Sequence, residues 1–197
     1  MPVNVNDLGC DFLSATGRKF IRGPRGTGFL YVASKWLESL EPVMIDHFAA
    51  PWVTRHQYQL RDDARRFETW ENAYALRAGL GAAISYADQL GIENIQQRSW
   101  GLAASCRQML QQIPGCRIRD AGSDNCAIVS FTIEKLDPRK TVVALRDKGI
   151  AIGASSPSST RLDAETRNLP VLMRVAPHYY NTLDELEILT TALRTLV

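Results

Sequence analysis

Residues 14–32 read SATGRKFIRGPRGTGFLYV, and the role of one lysine in that stretch decides how the rest of the chain is understood. Lys19 stands between an apolar run ending at Leu13 and a loop punctuated by Gly17, Gly23 and Gly26, with Arg18, Arg22 and Arg25 close by. It is either one more solvated cation or a positioned amine. A nucleophilic lysine must be held in place and partly deprotonated, a state that a cationic neighbour favours in general, and Arg18 and Arg22 are cations close to Lys19 in sequence. A phosphate needs hydroxyls, backbone N–H groups and a cation converging on it, and Ser14, Thr16, the Gly17 backbone and Arg18 are residues of those types. An ordinary solvated turn explains the same composition, so at this point both readings stand.

Outward from this stretch the chain divides into two unlike halves. Up to about Arg66 it is rich in Gly, Pro, Trp and Arg, with short strands expected at 10–13 and 28–32 and long loops between elements. From Glu71 the pattern turns helical: Tyr74, Ala78, Ala82, Ala83 and Tyr86 recur at spacings of three and four, and Gly91 follows Leu90 where a glycine cap belongs. A second helix is expected over 92–113, then strands at 116–119 and 127–133, a helix over 138–148, and strands at 150–154 and 171–175. The last element is a helix from Thr182, whose TLDE has capping-box spacing. This alternation reads as a compact two-layer α/β domain. Two short strands on a long loop, by contrast, cannot bury their own faces. The first half therefore reads as the edge of something larger, and the opening MPVNV either as a start inside a longer sequence or as a native one.

Composition narrows the function classes. With 197 residues and 45% hydrophobic content the chain can fill a core. A net charge of +2, from 23 basic and 21 acidic residues, leaves no polyelectrolyte signature, so nucleic acid is not the expected partner. No apolar run approaches the roughly 20 residues that span a bilayer, and the N-terminus lacks the pattern of a secretory signal; no membrane is expected and a cytoplasmic location is. Cys10, Cys106, Cys116 and Cys126 show no C-x-x-C spacing, and His47, His56 and His178 are scattered. No metal site is expected, and the cysteines read as free buried thiols.

A phosphate site beside a reactive lysine points to pyridoxal 5'-phosphate. Three segments carry an independent resemblance: CDFLSATGRKFIRGPRGTGFLYV, RFETWENAYALRAGLGAAISYADQLGIENI and LMRVAPHYYNTLDELEIL. In order and at fitting spacings, they resemble class V pyridoxal-phosphate enzymes of the aminotransferase type I fold. That group contains cysteine desulfurases, selenocysteine lyases, isopenicillin N epimerase-like proteins and hercynylcysteine sulfoxide lyases. The resemblance implies an α/β chain in which 1–92 is the tail of the large cofactor-binding domain with its linking helix, and 93–197 is the small C-terminal two-layer α/β domain. It implies that Lys19 forms the Schiff base, that Thr16 and Arg18 contact the cofactor phosphate, and that Arg174 holds the α-carboxylate of a small-molecule amino-acid substrate. A planar guanidinium suits that last role. In this family the segment beginning RFE reaches across a homodimer interface, so Thr69 and Asn72 are further cofactor-binding candidates.

Each residue keeps a plainer alternative. Arg174 could pair with Glu185 or Asp184, His178 and Tyr179 could cap the core, Trp70 and Trp100 could be packing residues, and the Thr16 hydroxyl could be satisfied by nearby backbone. Two departures from the family pattern also matter. Persulfide-forming members use a cysteine in the loop after the strand matching GIAIGA, because a thiolate must attack the substrate sulfur. Here that loop reads SSPSSTRLDAETRNLP, without cysteine, and Cys126 lies in an apolar strand context where a buried thiol is expected. A lyase, epimerase or transaminase-like reaction on an amino acid is left. The second departure is that the family places before its lysine an acidic partner for the pyridine nitrogen, a stacking ring and a phosphate-binding turn. Without the pyridinium partner the ring is a poorer electron sink, so residues 1–197 alone are expected to be a weak catalyst or none. The alternative is a non-catalytic remnant or interaction partner that retains the fold.

Overall fold

In the computed structural model, which describes residues 1–197, Asn4 caps a single helical turn, α1 (Val5–Leu8), closed by Gly9 at φ +61°. Strands β1 (Phe12–Thr16) and β2 (Gly28–Val32) pair antiparallel, from Phe12 opposite Val32 to Thr16 opposite Gly28. The first strand lies two residues later than the apolar run indicates, because its partner's five residues set its extent. A second hairpin, β3 (Trp52–Thr54) and β4 (Gln57–Tyr58), was not legible in the sequence. Helix α2 (Tyr74–Leu90) follows, and Gly91 ends it at φ +83°.

These elements belong to the first of two compact units, Met1–Ile92; the second is Glu93–Val197. The first unit buries little beyond Val32, Ala49, Ala50, Arg66 and Ala87. Arg66 donates to the Leu37 carbonyl and so ties two loop segments together. Large apolar side chains stay exposed, Trp52 at 75% and Phe29 at 52% among them, whereas Tyr31 and Phe67 are half-buried. Two-stranded ribbons of this kind have no hydrophobic layer of their own.

The second unit is built on a core. Helix α3 (Ile92–Gln111) turns Leu102, Ala103, Cys106 and Leu110 inward at helical spacing. Then come β5 (Cys116–Ile118), β6 (Val129–Ile133), α4 (Pro138–Arg146), β7 (Gly153–Ser155), α5 (Arg161–Thr166), β8 (Leu172–Val175) and α6 (Leu183–Arg194). The four strands form one antiparallel sheet in the order β5-β6-β8-β7. Val129, Phe131 and Ile133 of β6 and Met173 and Val175 of β8 share one face, and pack with Leu145 of α4 and Leu186, Leu189 and Leu193 of α6. The opposite face carries Ser130, Thr132 and Arg174. The segment 156–169 is a short 3-10 turn followed by α5 and not the plain loop that its composition indicates. No helix is long and apolar enough to cross a membrane, and no cluster of ligating side chains could hold a metal ion.

Helix α6 opens with the capping box that its sequence announces: Glu185 N–H donates to the Thr182 hydroxyl, and Thr182 N–H donates to the Glu185 carboxylate. Asn181 also donates to that carboxylate, and the two donors hold its pKa below the ordinary glutamate range. A carboxyl whose pKa is lower in the folded state stabilises above its unfolded value, and this stabilisation is lost as pH falls through the folded value. Glu185→Gln is therefore expected to be less stable than wild type at pH 7, with the gap closing below about pH 4, as denaturant unfolding at a series of pH values will read.

Candidate functional site

Lys19 sits in the turn between β1 and β2, and the turn is pinned at several points. Gly17 N–H donates to the Thr27 carbonyl at 2.9 Å, Gly23 N–H to the Gly17 carbonyl at 2.8 Å and Arg22 N–H to the Lys19 carbonyl at 2.9 Å. The Thr27 hydroxyl donates to Pro24 at 2.6 Å. Arg22 takes a left-handed conformation, φ +61°, uncommon for a residue with a side chain. Gly17 is required by space: a Cβ there would stand 2.4 Å from Leu80 Cδ1 and 2.8 Å from the Thr27 hydroxyl. Helix α2 thus presses on the turn through Leu80, and through Gly79, where a Cβ would meet the Pro24 ring at 2.9 Å. The lysine backbone is fixed by packing, while its side chain is exposed.

The Lys19 and Arg18 side chains enter no hydrogen bond or ion pair, and their backbone N–H groups donate to no backbone carbonyl. The Thr16 hydroxyl donates to the Thr27 carbonyl at a long 3.4 Å, a bond weak enough to be exchanged for a better acceptor. An unpaired amine, an unpaired guanidinium, two free N–H groups and an exposed hydroxyl fit an aldehyde-bearing phosphate such as pyridoxal 5'-phosphate.

Thr69 and Asn72 lie together in the segment before α2. The Asn72 amide donates to the Thr69 carbonyl at 2.5 Å, and the Tyr74 hydroxyl donates to Trp70 at 2.7 Å. Asp46 accepts from Trp70 N–H at 2.6 Å and from Phe48 and Ala49 N–H, and these bonds hold its carboxyl below the ordinary range. The Trp70 ring stacks on His47 at 4.8 Å, a packing role. No hydrogen bond joins Thr69 or Asn72 to the Lys19 turn.

Arg174 belongs to the second unit. It is exposed on β8, opposite Ser130 of β6 and Gly153 of β7, and forms none of the chain's ion pairs; Glu185 is engaged instead by its own capping box. The arginine lies in a groove of about 490 Å³ on the coreless face of the sheet, together with Arg119, Cys126 and Ser155. Cys126 is exposed, which corrects the expectation of a buried thiol there: the strand begins only at Val129, so the residue lies before the buried alternation starts. Burial does govern Cys106 and Cys116, pushing both thiols up to about 11. His178 and Tyr179 are half-buried; His178 stacks on Tyr180 and Tyr179 meets that ring edge-on, making one aromatic cluster. Trp100 packs against the core.

The chain belongs to the aminotransferase class-V family, whose family model matches residues 1–189. A cysteine desulfurase of Synechococcus elongatus is 32% identical over all of this chain, which covers 31% of that relative. The apo structure of the Thermococcus onnurineus NA1 cysteine desulfurase superposes with a TM-score of 0.91 at 26% identity, over all of this chain and 49% of the other. A mutant of the cystine C-S lyase C-DES with glycine covalently linked to its PLP cofactor superposes at 0.84, with 23% identity, over 98% of this chain and 48% of the other. The chain spans between about a third and a half of the length of the curated relatives it matches.

Two measurements check the local geometry. A Cβ on Gly28 would stand 2.3 Å from the Ala15 backbone carbonyl, so Gly28→Ala should loosen the hairpin under Lys19 and destabilise the chain by about 1–3 kcal/mol in thermal or denaturant unfolding. Limited alkylation with iodoacetamide at pH 8, followed by mass spectrometry, should modify Cys126 first and Cys106 last; early labelling of Cys106 would contradict its burial.

Proposed function

We propose that this chain carries the lysine half of a pyridoxal-phosphate-dependent enzyme that acts at the α-carbon of an amino acid, by a lyase, epimerase or transaminase-like reaction. The carrying observation is Lys19: a lysine backbone locked by Gly17 against Leu80, with an amine that no protein group engages. Membership of the class-V family and the C-DES relative with bound PLP support the same reading. When bound, the cofactor withdraws electrons from the bond that is broken at the substrate's α-carbon.

The chain's own residues divide the remaining work. Lys19 supplies the amine that holds the cofactor covalently and, once released, moves a proton to or from the α-carbon. Arg18, the Thr16 hydroxyl and the free N–H groups of the turn receive the phosphate. Arg174 forks onto the substrate carboxylate, a contact that a lysine would replace only as a point charge. Thr69 and Asn72 serve a cofactor across a homodimer interface, where the exposed apolar residues of the first unit find their cover. The cysteine-free segment after β7 supports a reaction without a loop persulfide.

Incubation with pyridoxal 5'-phosphate, borohydride reduction and peptide mapping tests the reading. The reduced adduct is expected on Lys19, and it should vanish in Lys19→Ala. Equal labelling of Lys35, Lys135, Lys140 and Lys148 would make Lys19 one more surface cation and overturn the proposal.

A further inference from the structure

The groove that holds Arg174 has a second cationic end. The antiparallel register continues one residue beyond β5: Arg119 N–H donates to the Ser130 carbonyl at 2.7 Å, after Ile118 opposite Phe131. Arg119, Ser130, Arg174 and Gly153 therefore form one row across four neighbouring strands, with their side chains on the same, coreless face. The two arginines stand two strand spacings apart, roughly 10 Å between Cα atoms, with a serine hydroxyl between them.

Both guanidinium groups have capacity to spare. Arg119 Nε donates to the Thr132 hydroxyl at 3.1 Å, which orients the fork, and its two terminal nitrogens have no protein partner. The head of Arg174 lies along Gly153, whose missing Cβ would stand 3.9 Å from Arg174 Nε and Nη2. The acids of the groove are largely cancelled. Asp120 is bound by Arg107 at 2.8 Å in a mostly buried pair, and its other oxygen accepts from Ser130 N–H. Asp163 is bound by Arg167. Asp124, which accepts only from the Ser123 hydroxyl, is left against two unpaired arginines. A volume of about 490 Å³ lies within the roughly 300–1,000 Å³ of small-ligand sites.

From this row we infer that the groove is a two-point anion clamp, and that the amino acid it takes carries an acidic group at the end of its side chain. The inference rests on the proposed role of Arg174. Arg174 takes the α-carboxylate, Arg119 takes the distal acid and Ser130 donates to the ligand between them. A side chain the length of that of glutamate, with a bidentate arginine at either end, spans two strand spacings; a short neutral side chain leaves Arg119 without a partner. Arg119 is then the residue that determines specificity, since two charge-assisted contacts discriminate more strongly than one.

The test uses the whole chain in phosphate-free buffer, with arginine Nε–H resonances followed during titration with glutarate, butyrate, L-glutamate and L-glutamine. Glutarate should bind about tenfold or more tightly than butyrate, and L-glutamate similarly better than L-glutamine. Arg119→Gln should bring glutarate down to the level of butyrate and leave butyrate unchanged, whereas Arg174→Gln should weaken both. Asp124→Asn, which deletes the one uncancelled acid, should strengthen glutarate binding more than butyrate binding, so the proposal is also read from a gain. No preference for glutarate in wild type, or a preference that survives Arg119→Gln, overturns the clamp alone. Unchanged binding in Arg174→Gln overturns the carboxylate role of Arg174 and the clamp with it.

Discussion

Period-two alternation along Val129–Ile133 commits every residue of that strand to one of two faces. Val129, Phe131 and Ile133 go to the core, and the same register leaves Ser130 and Thr132 on the open face, between Arg119 and Arg174. Core and groove are thus two readings of one hydrogen-bond ladder. A one-residue slip of this strand would bury Ser130 and Thr132 and expose Phe131, and the same slip of β8 would bury Arg174 and expose Met173. The position of the arginines is therefore protected by the hydrophobic core on the other side of the sheet and needs no dedicated support.

The lysine turn solves a different problem. A flexible side chain is presented from a rigid backbone, and rigidity there comes from close approach, with Leu80 occupying the space that a side chain on residue 17 would need. Backbone hydrogen bonds close the loop in sequence, from Gly17 to Thr27 and from Gly23 back to Gly17. The amine itself is left to solvent.

Periodic residues made most of the second unit legible. The strict alternation before Ile133, the TLDE box and the glycine after Leu90 each mark an element that is found within a few residues of its expected place. What was not legible depends on partners remote in sequence. The Trp52–Tyr58 hairpin has only two or three residues per strand, and helix α5 hides behind a run of serines. The exposure of Cys126 turns on where a strand starts, which hydropathy blurs. In the candidate site, residue types singled out Lys19 and the family resemblance singled out Arg174, but only strand register puts Arg119 and Arg174 in one row. The alternation of Arg117 and Arg119 on one face was a signal that could have been followed.

Gly153 gives the groove its asymmetry. Arg119 is tethered through Thr132, so its reach is short and its direction set. Arg174 faces bare backbone across the strand boundary, and its four rotatable side-chain bonds can sweep the area above Gly153. One jaw of the groove is fixed and the other travels, so the span between them is adjustable from one side only. A methyl group at residue 153 would meet the Arg174 head at 3.9 Å, an ordinary van der Waals contact, so alanine there would trim the sweep of that jaw without fixing it.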